Sequence, residues 1–160
     1  MRRLLWVLAS TALALGAAAA AEAHVAAAAR AAGGEPVELS RGRGYAVLGT
    51  HGAALGNVAR GWVRVVDVPG GGGPSGWVRG CERRSGRLSG RLRCSGSGLR
   101  FYVHGGTWRI ELGGRGINVS AVARGRLGLD RRGCTRCTYS IGGGARRVWP
   151  VALRFFSLRG

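Results

Sequence analysis

The chain reads as an all-β protein, an antiparallel β-meander forming a sandwich or barrel-like domain behind an N-terminal hydrophobic signal helix. Three observations lead there. Residues 99–129 run LRFYVHGGTWRIELGGRGINVSAVARGRLGL, with apolar and polar side chains alternating at the period of a half-buried strand and broken only by glycines. Turn-forming Gly and Pro punctuate the rest of the chain at intervals of roughly 8–12 residues. A hydrophobic content of 46% over 160 residues is enough for a packed core, so the 31 glycines punctuate structure and do not mark disorder.

Residues 1–23 read as a signal peptide. Met1-Arg2-Arg3 is a positive start, residues 4–15 are apolar, and Ala21-Glu22-Ala23 fits a small-x-small cleavage site. The apolar run 4–21 also reaches the lower limit for a membrane span, so an N-terminal anchor is the alternative. After cleavage no further apolar stretch is long enough to cross a bilayer as a helix. Residues 24–40, HVAAAARAAGGEPVELS, read as an Ala-rich linker, and residues 41–160 as the all-β domain.

Within that domain residues 45–48 read as a first short strand, 53–58 as its return, and 62–68 as a β-branched strand closed by the loop 69–74. Residues 76–81 and 87–94 follow. The latter places Leu88, Leu92 and Cys94 inward and Arg87, Ser89, Arg91 and Arg93 outward. Gly105-Gly106 reads as a two-residue hairpin turn, because glycine takes φ > 0 twice without penalty. That register sets Val103 opposite Trp108, Phe101 opposite Ile110, and Arg100 opposite Glu111 on the outer face. A second turn at 113–116 would bring Ile117 to Leu112 and Ala121 to Trp108. Residues 117–129 then continue at period two, with Gly125 marking a bend. Tyr139 and Ile141 form a penultimate strand, and Trp149-Pro150 opens the last. The total is eight to ten short strands. A loose recurrence at Arg60-Gly61, Arg115-Gly116 and Arg124-Gly125 admits a β-solenoid as the alternative, although its spacing is irregular.

The segment 98–129, with its G-R-G-I-x-V-S-A-x-A-R-G-R-L core, together with Tyr139 and Trp149-Pro150, resembles small exported Gly/Arg-rich all-β proteins of GC-rich bacteria. The resemblance covers roughly residues 41–150. It implies an all-β fold and carries no activity with it, and Cys134-Thr135-Arg136-Cys137 stands as an insertion in its pattern.

The formal charge is +18, and all 25 basic residues are arginine. Codon bias in a GC-rich genome and general surface solvation account for such a composition, and so would a dedicated polyanion site. The outward positions Arg87, Arg91, Arg93, Arg100 and Arg109 are the candidate binding residues for an anionic cell-envelope polymer. Export makes nucleic acid an unexpected partner. It also places Cys81, Cys94, Cys134 and Cys137 in an oxidising compartment, where two disulfides are the simplest outcome. Three connectivities are possible, and sequence order favours Cys81–Cys94 with Cys134–Cys137. Zinc would need four convergent ligands, and only the second pair has C-x2-C spacing. Thiol redox chemistry usually sets C-x-x-C at a helix N-terminus, whereas Thr138-Tyr139-Ser140-Ile141 reads as a strand.

No carboxylate pair, nucleophile elbow, H-E-x-x-H helix or phosphate loop is present. His51 and His104 sit at turns. Trp62, Trp77, Trp108 and Trp149 read as core, although Trp62 or Trp77 exposed beside arginines would favour stacking and cation–π contacts. The expectation is therefore a non-enzymatic, secreted or cell-envelope β domain without cofactor or metal, its arginines directed to anionic polymers. The alternative is an exported enzyme, either a thiol redox protein using the C-x-x-C pair or a hydrolase.

Overall fold

The computed structural model describes residues 33–160, so the signal peptide and most of the Ala-rich segment lie outside the described residues. Seven strands form a single antiparallel sheet: β1 (Glu35–Asp67), β2 (Ser75–Arg79), β3 (Arg83–Ser85), β4 (Arg91–Arg131), β5 (Thr138–Ile141), β6 (Arg147–Val148) and β7 (Arg154–Leu158). Their order is β2-β4-β1-β5-β6, with β3 and β7 paired to other parts of β4, and the sheet does not close. Residues 35–40, read as the end of a linker, are the first residues of β1.

Two long strands replace most of the expected short ones. They coil around each other so that each pairs with the other on both flanks. Ala46 lies between Leu112 and Leu129, and Leu112 lies between Ala46 and Val63. Such coiling demands sharp bends. A row of glycines crosses four strand segments, Gly44–Gly114–Gly61–Gly96, with φ of 133°, 134°, 153° and 155°. A Cβ at Gly61 or Gly114 would run into a neighbouring carbonyl, so only glycine lets the backbones approach this closely.

The expected hairpin at Gly105-Gly106 does not form. Both glycines have positive φ, 69° and 61°, but they sit in a β-bulge within β4. Opposite them on β1 there is only Gly52, since His51 pairs with Thr107 and Ala53 with His104. Val103 is flanked by Ala54 and Gly76, and Trp108 by Thr50 and Asp67, so the two are not partners. The second turn is likewise absent. Ile117 pairs with Gly42 and Val58, while Ala121 pairs with Val37 and Ala54.

The inward face survives this change of partners. Leu99, Phe101, Val103, Trp108, Ile110, Leu112, Ile117, Val119, Ala121, Ala123, Leu127 and Leu129 are all buried inside the coil. One extra residue flips the side-chain alternation whether it lies in a turn or in a bulge. The last strand is Arg154–Leu158 and does not begin at Trp149-Pro150. Trp149 is buried in the preceding loop, where its indole Nε1–H donates to the Thr138 carbonyl at 2.9 Å. Cys81–Cys94 and Cys134–Cys137 are disulfide-bonded, with Cα separations of 5.2 and 5.8 Å.

Candidate functional site

The outer face of the coil carries an arrangement that its local sequence does not announce. Arg43-Gly44-Tyr45 and Arg60-Gly61-Trp62 lie on either side of Gly113-Gly114-Arg115. Pairing sets Arg43, Arg115 and Arg60 in one row, the three glycines 44, 114 and 61 in the next, and Tyr45, Gly113 and Trp62 in the third. Neighbouring strands are about 4.8 Å apart, so the three arginines leave the sheet side by side. Like charges directly opposite one another are destabilising in a bare sheet.

Trp62 rests on Gly113, where a Cβ would collide with the indole. Its ring and that of Tyr45 are 6.2 Å apart, centroid to centroid, and both are half-buried. Together with Arg43, Arg60, Arg115, Arg132 and Asp130 they line a groove of about 740 Å³. Among the described residues Asp130 is the single carboxylate in that lining, and it sits 4.0 Å from Arg132.

Two rows on, on the same outer face, Glu111 lies between Val47 and Arg64, a carboxylate only 4% exposed. It accepts from Arg64 Nε at 2.8 Å and pairs with Arg109 Nε at 3.0 Å. Arg64, fixed in this way, stands 6.0 Å from the Trp62 ring centroid. Glu111 therefore positions a guanidinium beside the indole. Burial, and then the negative charge of Glu111, push the Tyr45 phenol above its ordinary pKa. The other side of Trp62 borders a smaller groove of about 400 Å³ lined by Arg83, Arg84, Ser85, Arg93 and Ser95.

The arginines chosen from alternation divide between several places. Arg91, Arg93 and Arg109 do share the outer face with Trp62: Arg93 pairs across to Arg64, and Val66 lies between Arg91 and Arg109. Arg109 is engaged by Glu111, however, and the expected Arg100–Glu111 pair is absent, since Arg100 lies between Asn57 and Arg79. Arg87 sits in the loop before β4, because the strand expected from residue 87 begins at Arg91. Arg100 lines a separate groove of about 880 Å³ with Trp77, Asn57, Asn118, Ser120 and Glu38. There Arg79 stands 4.8 Å over the Trp77 ring. Trp62 and Trp77 are thus surface platforms beside arginines, not core residues, whereas Trp108 and Trp149 are buried as expected.

Arg43, Arg60, Arg115, Arg132 and Tyr45 escaped the pattern reading. The Arg-Gly-aromatic triplet, which occurs twice in β1, finds Arg43, Tyr45 and Arg60; Arg115 and Arg132 lie in no such triplet and join the groove only through the fold. His51 Nε2 lies 2.9 Å from Thr107 Oγ1, and His104 stacks on Tyr102 at 4.9 Å. Cys137 is fully buried. Among the described residues no group of three His, Cys, Asp or Glu side chains is placed to hold a metal ion. Comparison of the chain with protein-family models, with curated proteins and with solved structures gives no match.

Proposed function

We propose that this chain is a non-enzymatic, secreted or cell-envelope-associated β domain that binds an anionic polymer along the outer groove. The observation that carries the reading is the row Arg43–Arg115–Arg60, three exposed like charges on adjacent strands with one aspartate nearby. A chain of phosphates or carboxylates lying across the row would replace their mutual repulsion with charge-assisted hydrogen bonds, and the planar guanidinium suits both groups. Trp62 and Tyr45, their rings tilted to one another, supply an aromatic floor for the polymer backbone, and Arg64 keeps a positive charge beside the indole. The apolar leader at residues 4–21 supports placement outside the cytoplasm, whether it is cleaved or retained.

Retention on purified anionic cell-wall polymer, with neutral dextran as control, tests this. Replacing Arg43, Arg60 and Arg115 by serine should abolish retention. Replacing Arg87, Arg136 and Arg146, an equal loss of charge outside the groove, should leave most of it. Equal loss from both triple variants would reduce the effect to net charge and reject the groove.

A further inference from the structure

The large apolar side chains that stand exposed among the described residues are Val148 (50%), Val151 (69%), Leu153 (48%) and Phe155 (50%). All four fall within residues 148–155. Exposed apolar side chains confined to one run of eight residues mark a segment that meets something other than water. Arginines flank this run: Arg146 and Arg147 are exposed just before it, the Arg126 guanidinium lies 5.3 Å from the Phe155 ring, and Arg154 stands over Phe156 on the other face.

Its place in the fold narrows the occupant. Among the described residues strand β7 pairs only with β4 and forms an edge. Alternation splits its two phenylalanines: Phe156 turns toward Tyr139, 5.0 Å away, while Phe155 lies over Gly128 on the outside. The Arg159 amide donates to Glu35 Oε2 at 2.7 Å, so the C-terminal edge sits where residues 1–32 join the sheet. The apolar run 4–21 ends twelve residues before Gly33, a reach of at most about 40 Å of extended chain.

We propose that the edge 148–155 seats on an anionic lipid bilayer. Val151, Leu153 and Phe155 enter the boundary between headgroups and acyl chains, and Arg126 and Arg147 pair with lipid phosphates. A second copy of the chain is the poorer occupant, because it would oppose one arginine cluster with another. This inference stands apart from the polymer groove, whose lining it does not use.

The full chain, incorporated into vesicles that carry a diazirine-tailed lipid, is irradiated and its cross-linked peptides are mapped by mass spectrometry. Vesicles containing phosphatidylglycerol should label residues 148–155, and pure phosphatidylcholine vesicles should label them about tenfold less. Val151→Ser with Leu153→Ser, both at exposed positions, should remove the label, and Arg126→Ser with Arg147→Ser should lower it toward the phosphatidylcholine level. Labelling confined to residues 1–32, or labelling indifferent to these substitutions, would overturn the proposal.

Discussion

Trp62 lies directly on the backbone of Gly113, its cross-strand partner, with no side chain between them. The contact fixes the height and tilt of the indole above the sheet and leaves its outer side to the groove. Gly113 is buried and has no positive φ, so alanine suits its backbone and only its Cβ is objectionable. Gly113→Ala should lift the ring, at a cost of about 1–3 kcal/mol in stability. Denaturant titration and Trp fluorescence check this: the expected result is a retained β-sheet with altered Trp62 emission and weaker polymer binding.

Glu111 is a buried carboxylate shared by Arg64 and Arg109. Glu111→Gln keeps its shape and removes its charge, leaving two guanidinium groups facing a neutral amide. A loss of about 1.5–3 kcal/mol is expected, the range for hydrogen bonds to charged groups. A double-mutant cycle with Arg64→Ala should show coupling, and additive losses would mean that the pair is not a unit.

The Tyr45 phenol titrates above its ordinary value of 10.0, because it is half-buried and lies in the negative field of Glu111. The folded protein then holds a proton that the unfolded chain releases near pH 10. Stability from this group is complete below that pH and falls as pH rises through the folded value. Spectrophotometric titration should show a late-titrating tyrosine, and Glu111→Gln should bring it partway back.

The disulfides should contribute unequally. Cys81–Cys94 closes a loop with a sequence separation of 13, and Cys134–Cys137 one of 3. In the chain-entropy model the first is worth about 3 kcal/mol and the second about 2. Serine pairs at the two sites, compared by thermal unfolding, should rank in that order. Alkylation of the native protein should find no free thiol.

The inward face was legible in the sequence because period-two alternation reports burial whatever the partner strand is. The partners were not. Gly105-Gly106 with φ > 0 satisfies a two-residue turn and a bulge equally well, and only the long-range ladder between β1 and β4 decides between them. The Arg109–Glu111 pair was within reach, since residues two apart on a strand share a face. The groove was hidden for a different reason. Arg43-Gly44-Tyr45 and Arg60-Gly61-Trp62 meet only through a third segment, Gly113-Gly114-Arg115, far away in sequence. Sequence order put the cysteines in the right pairs, because each pair spans a short stretch of chain.

The salt dependence of polymer affinity measures the Arg43–Arg115–Arg60 row most directly. Each guanidinium that displaces a counterion adds roughly 0.7–0.9 to the slope of log affinity against log salt on a strongly charged chain. The wild-type chain should therefore bind an anionic polymer with a steep slope, and the Arg43→Ser, Arg60→Ser, Arg115→Ser variant should lose roughly two to three units of it. Unchanged slope and affinity in that variant would contradict the account.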